Sequence, residues 1–242
     1  RGLGDVYKRQ DSICSVDPSG RGSDETVAAY ISQRNGVMYL HEMRAYSDGY
    51  SDNTLLDILR GCKKYGTKTL LIESNFGDGL VAELFKKHLQ QTKQAIHIEE
   101  TRANVRKEDR IIDTLEPVLN QHRLVVDKKV VEWDYASNPD TAPEKRLEYM
   151  LFYQMSRMCR EKGAVRHDDR IDALAQGVKY YTDILSISAQ QQIVDRKREE
   201  WNDLISNWED DRDCFASHLV FTLSMDQRRQ RRNNDNSVPN WV

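Results

Sequence analysis

No apolar run in this sequence approaches the ~18 residues that a membrane-spanning helix needs, and no segment reads as a signal peptide. Cysteine is sparse: Cys14, Cys62, Cys159 and Cys214 are scattered without metal-type spacing. That argues against a disulfide framework or a thiolate zinc site, and fits reduced thiols in a cytoplasmic protein that is not secreted. An excess of positive charge is also missing, since the formal net charge is −3. Contact with nucleic acid must then come from local patches rather than from a basic coat. There is no G-x-x-x-x-G-K-[ST] phosphate loop and no internal repeat.

What is present suits one domain plus a tail. Hydrophobic residues make up 38% of the chain, enough for a core, and much of the 31% charged content falls in the last third. Residues 1–10, above all Asp5-Val6-Tyr7-Lys8-Arg9-Gln10, resemble the translation of a transposon-end sequencing adapter and are set aside. Natural sequence is expected to begin near Asp11, with the gene truncated upstream. Residues 11–182 are expected to form the domain and 183–225 a helical extension. Residues 226–242, with Arg228, Arg229, Arg231 and Arg232, are expected to form a basic, disordered tail.

Along the chain, Ser12 to Val16 predicts a buried strand stopped by Pro18 and Gly20. Thr26 to Ile31 and Val37 to Met43 flank Arg34-Asn35-Gly36, a strong signal for an antiparallel hairpin. Asp52 or Asn53 can cap a helix carrying Leu55, Leu56, Ile58 and Leu59 that ends near Gly66. Thr69 to Ile72 predicts a short strand delivering Glu73. A Gly-rich turn follows, then a helix with Leu80, Val81, Leu84 and Phe85 on one face. Ala95 to Ile98 reads as a strand. A basic segment leads into a helix with Ile111, Ile112 and Leu115, which Pro117 is expected to break. Arg123 to Asp127 and Val130 to Trp133 suggest a short hairpin, and Glu144 to Cys159 one amphipathic helix. From Asp168 onward, Ile171, Leu174, Ala175 and Val178 keep helical spacing. Asp168 is expected to point toward the sheet, with Asp172 at the stripe's margin and Asp169 sideways. The order describes a mixed α/β sheet, three leading strands antiparallel and later ones parallel, flanked by helices.

Three acidic stretches carry the chemistry: Val16-Asp17-Pro18-Ser19-Gly20, Ile72-Glu73-Ser74-Asn75-Phe76-Gly77-Asp78-Gly79 and His167-Asp168-Asp169-Arg170-Ile171-Asp172. Each puts a carboxylate at the end of an apolar strand or the start of an apolar helix. Singly, each also reads as a turn or cap residue. Converging, they make an all-oxygen site suited to Mg²⁺ or Mn²⁺, and a metal pair can hold both the attacking and leaving oxygens of a phosphodiester. The cluster Arg102, Arg106, Lys107 and Arg110 reads either as a solvated face or as a phosphate contact.

These blocks, with Arg110-Ile111-Ile112-Asp113-Thr114-Leu115-Glu116-Pro117, resemble the nuclease domain of tailed-phage terminase large subunits, nearest to those of short-tailed phages. The resemblance runs from about Ser12 to Tyr181. It implies a ribonuclease-H-like fold and endonuclease cleavage of concatemeric double-stranded viral DNA in the host cytoplasm during genome packaging. It also implies two Mg²⁺ or Mn²⁺ ions, a portal ring and a small terminase subunit as partners, and an N-terminal packaging ATPase missing from this sequence. By position, Asp17, Glu73 and Asp168 match the catalytic acids. Asp169 and Asp172 stand beside them as further metal ligands, and Arg102, Arg106, Lys107 and Arg110 as DNA contacts. Two rivals remain: a non-catalytic DNA or portal docking module, and an actin-like phosphotransferase. The latter requires a second lobe with its own phosphate loop, of which the sequence holds no copy.

Overall fold

The computed structural model describes residues 11–19, 24–73, 79–102, 105–139 and 141–209. The loop after Glu73, with Asp78, and the tail beyond Glu209 lie outside the described residues. Two compact units divide the chain, Arg1–Ser186 and Ile187–Val242.

In the first unit, β1 (Asp11–Asp17) is a central strand of a six-stranded sheet. It pairs antiparallel with β2 (Thr26–Arg34) and parallel with β4 (Thr69–Glu73). On one side β2 continues to β3 (Val37–Tyr46) and β6 (Leu124–Val126); on the other β4 continues to β5 (His97–Thr101). This is the expected mixed sheet. The hairpin forms where Asn-Gly predicts it, because Asn35 (φ 52°) and Gly36 (φ 79°) both adopt left-handed backbone.

Alternation along the strands divides the core into two layers. Cys14, Val16, Leu70 and Ile72 face α1 (Asp52–Tyr65) and α2 (Leu80–Thr92). Ile13, Ile31 and Leu71 face α3 (Lys107–Asn120) and the start of α7 (Asp169–Glu209). Gly177 lets α7 approach closely: a Cβ there would stand 2.5 Å from Ile31 Cδ1 and 3.3 Å from Ser15 Cβ. Glycine costs about 1 kcal/mol relative to alanine inside a helix, and close helix–sheet contact is the compensation.

Several local expectations are corrected. Ser51, rather than Asp52 or Asn53, caps α1, its hydroxyl accepting from Thr54 N at 3.3 Å. β5 begins at His97, two residues later than Ala95. Pro117 lies inside α3; it is exposed, and the helix continues because Val118 is buried immediately after it. Val130 to Trp133 belongs to a helix, α4 (Lys128–Ala136), since Asp127 accepts from Lys129 N at 2.9 Å and caps it. The single helix expected over Glu144 to Cys159 is two, α5 (Pro143–Tyr149) and α6 (Leu151–Arg157), parted at Met150. The Asp134 carboxylate makes the break by accepting from Leu151 N (2.8 Å) and Phe152 N (3.2 Å), capping α6 from another element. Among the described residues, no helix is long and apolar enough to cross a membrane.

In the second unit the α7 residues Ile187, Ile193, Val194 and Trp201 are exposed.

Candidate metal centre

Asp17 and Glu73 leave the sheet at equivalent points. Val16 pairs with Ile72 in the parallel β1–β4 ladder, so the next residue on each strand stands at the same C-terminal edge. Period-2 alternation turns both acids toward the face occupied by Ile13, Ser15 and Leu71. α7 crosses this face. Its Gln176 accepts from Ser15 Oγ at 2.9 Å, and Asp172 lies one helical turn before Gln176 on the same stripe. Strand period and helix period therefore bring Asp17, Glu73 and Asp172 together, with ligand oxygens within 4.8 Å of one another.

The acid on that stripe is Asp172, whose side chain is 1% exposed. Asp168 precedes α7, its backbone carbonyl accepting from Asp172 N at 2.9 Å, and its carboxylate turns to Lys107 at 2.8 Å. The expected orientations of Asp168 and Asp172 are thus exchanged. Ile171, Leu174 and Val178 enter the core, while the 172/176 pair runs along the strand ends. Asp169 turns to the backbone of Glu25, accepting from its N–H at 3.1 Å.

The carboxylates are crowded and partly neutralised. Burial, then the charge of Asp172, pushes both Asp17 and Glu73 above the usual carboxylate range; nearby cations oppose this. Burial pushes Asp169 to about 6. Lys107 Nζ bridges Asp168 (2.8 Å) and Asp172 (3.0 Å). Burial alone would lower Lys107, but Asp172, Asp17 and Asp168 hold it above its ordinary value. Arg110 reaches both oxygens of Asp172 (2.8 and 2.9 Å) and Glu73 at 3.5 Å. Of the four basic residues singled out in the sequence, Lys107 and Arg110 pair with the acids. Arg106 reaches Asp109 (3.7 Å) and the Arg160 carbonyl (3.1 Å), and Arg102 is exposed.

Sequence reasoning missed Arg170. It is wholly buried, donating to Glu25 (2.9 and 3.1 Å), to Asp134 (2.8 Å) and to Ser137 (2.8 Å), with Trp133 stacked 4.7 Å from its guanidinium. This network ties the first turn of α7 to the start of β2 and to α4. A signal was available: an arginine between two apolar-face positions demands a buried partner.

Comparison with known proteins adds a family. Residues 16–124 match the family model described as "Terminase Bacteriophage T7, Ribonuclease H-like domain". The chain is 44% identical over 180 residues to the large terminase subunit of Enterobacteria phage T3, an alignment covering 74% of this chain and 30% of that relative. Among solved structures it is similar to the human cytomegalovirus terminase nuclease domain, Mn soaked and inhibitor bound. The identity is 14%, with 72% of this chain and 85% of that one covered and a TM-score of 0.48. It is also similar to the large terminase nuclease of thermophilic phage G20c, at 13% identity, 69% and 80% coverage and a TM-score of 0.43.

Proposed function

This chain belongs to the phage terminase large-subunit family through its ribonuclease-H-like nuclease domain, and on that premise we propose that it is a metal-dependent endonuclease domain. Its substrate is concatemeric double-stranded viral DNA, cut in the host cytoplasm during genome packaging. The observation that carries this reading is the convergence of Asp17, Glu73 and Asp172 at the ends of two parallel strands.

The donor set fits a hard dication: three carboxylates, with oxygens within 4.8 Å, whose mutual repulsion a cation would relieve. Asp17, Glu73 and Asp172 would hold Mg²⁺ or Mn²⁺, and Asp168 and Asp169 stand beside them for a second ion. Bound there, the ions would supply charge neutralisation at a phosphodiester and a water of lowered pKa. The protein's own residues do the rest. Lys107 and Arg110 offset part of the carboxylate charge, so that an anionic backbone can approach. Exposed Arg102 and Arg106 extend the basic rim along the backbone, contacting phosphate without reading bases. The chain spans 30% of the length of the phage T3 relative, so the packaging ATPase, portal ring and small terminase subunit are proposed as partners of the longer protein.

Nicking of supercoiled plasmid tests this. Cleavage should require Mg²⁺ or Mn²⁺ and stop with chelator. Glu73→Gln should lower it at least about a hundredfold while DNA affinity is retained. Nicking that survives chelation, or is undiminished in Glu73→Gln, overturns the reading.

A further inference from the structure

Among the described residues the sheet ends in an open edge at β5. This strand pairs with β4 from His97 beside Thr69 to Thr101 beside Glu73, and no described strand lies on its other side. The His97 N–H donates to the Lys68 carbonyl at 2.8 Å. Alternation along a parallel ladder then directs His97 and Glu99 toward β4 and turns the backbone N–H and C=O of Ile98 and Glu100 outward. Such groups are a template for another strand. A cleft of about 810 Å³ opens beside them. One wall is a stripe of α2 that runs from Lys86 through Leu89 to the cap residue Lys93; the other is residues 94–98, with Ile96 and Ile98. The lining holds two lysines and a histidine but no carboxylate. Both lysines are exposed, and among the described residues neither has an ion-pair partner.

We propose that the β5 edge and this cleft together bind an extended segment of a partner protein, apolar at its centre and acidic at its ends, which joins the sheet as a further strand. Main-chain bonds to Ile98 and Glu100 would hold any extended peptide, and the cleft selects among them. Its apolar floor, Leu89, Ile96 and Ile98, takes the central side chains. Lys86 and Lys93 take the acidic ends: seven helical residues apart, they span roughly 10.5 Å, about three residues of strand. Nucleic acid fits less well. It has no main-chain ladder to offer the edge, and Glu99 and Glu100 on the same strand would repel its phosphates. The cleft also lies away from the metal centre. β4 and β5 run parallel, so His97 stands four residues, roughly 13 Å, from the end at which Glu73 leaves the sheet. A partner docked here touches none of the proposed metal ligands, and so goes beyond the nuclease reading.

A labelled peptide, Asp-Glu-Val-Thr-Val-Glu-Asp, tests this against the 242-residue chain by fluorescence anisotropy, with chelator present. It should bind saturably with a Kd below about 1 mM, and its counterpart with lysine at each acidic position at least about tenfold more weakly. Amide exchange at Ile98 and Glu100 should slow at least about fivefold in the complex. Lys86→Glu combined with Lys93→Glu, both at exposed positions and therefore safe for folding, should weaken the acidic peptide at least about tenfold and leave plasmid nicking unchanged. Glu100→Pro, which removes one outward N–H and no inner ladder bond, should also weaken it. Because peptide binding is read without metal, failure of the nuclease reading leaves it intact. Absence of saturable binding, equal affinity for the lysine counterpart, or exchange unchanged at Ile98 and Glu100 would overturn the proposal. So would a double variant that loses nicking but keeps its peptide affinity, which would assign the cleft to DNA.

Discussion

Arg170 and Asp172 leave the first turn of α7 two residues apart, yet enter clusters whose carboxylates are satisfied in different ways. Around Arg170 one guanidinium meets Glu25 and Asp134 and donates also to Ser137 Oγ, while Asn138 donates to Glu25 and two N–H groups of α6 donate to Asp134. Around Asp172, four carboxylates (Asp17, Glu73, Asp168, Asp172) face two cations, Lys107 and Arg110. The first cluster is closed: besides the guanidinium, an amide and two backbone N–H groups donate to its carboxylates. The second retains negative charge at the edge of the sheet. Buried carboxylates fully supplied with donors serve the fold; carboxylates crowded together at the edge are kept ready for something that arrives later.

Substitutions can break this contrast. Arg170→Met should have the largest effect on stability, about 3–5 kcal/mol, because it strands Glu25 and Asp134 without their partner. Urea denaturation would measure it, and a loss below about 1 kcal/mol would show that the first cluster is not closed.

The pH response of the acids in and beside the second cluster should be smaller and of defined sign. Asp17, Glu73 and Asp169 are raised above the ordinary carboxylate range, Asp169 to about 6, burial being the first cause each time. A carboxyl raised on folding holds its proton more tightly in the native chain than in the unfolded one. Its contribution is complete below the unfolded value and is lost as pH rises through the folded one. Metal-free protein should therefore lose on the order of 2 kcal/mol from Asp169 between about pH 4 and 7, allowing for screening, with Asp17 and Glu73 acting in the same direction, and divalent metal should restore it. Flat or rising stability across that window, measured with chelator present, would contradict the assignment.

Asp17→Asn removes one of the repelling charges. It should raise metal-free stability by about 1 kcal/mol while abolishing the gain that Mg²⁺ gives the parent chain. A thermal melt with and without metal reads both. Lys107→Met should do least to the fold, within about 1 kcal/mol, because its side chain is 37% exposed. Calorimetry should nevertheless show divalent metal binding a few-fold tighter, since Lys107 competes for Asp168 and Asp172. Unchanged or weaker binding would mean that Lys107 supports the site rather than competing for it.

Much of this arrangement was legible in the sequence because its causes are local. Asn35-Gly36 dictates its turn, and Gly66, left-handed at φ 62°, ends α1. The acids at Asp17 and Glu73 follow from strands that end where apolar runs end. The expectations that failed had distant causes. Nothing near Met150 announces a break, because the capping carboxylate comes from Asp134 on another helix. Asp172 rather than Asp168 faces the strand ends because Ser15 and Gln176 set the rotation of α7, a contact spanning 161 residues. Arg170 escaped notice for the same reason: its partners lie 145 and 36 residues away.

The close seat at Gly177 sets a mechanical tolerance for the whole centre. Five residues separate it from Asp172, about 7.5 Å along the helix axis. A methyl group at 177 would collide with Ile31 and Ser15, so the helix would lift or Ile31 would yield. Metal sites accept errors of only about 0.2 Å in ligand distance, less than such a lift would impose. The alignment of the acids thus depends on a hydrogen atom on the sheet-facing side of their helix. A position with no charge, no proton to exchange and no ligand atom acts as the shim that keeps the carboxylates in gauge.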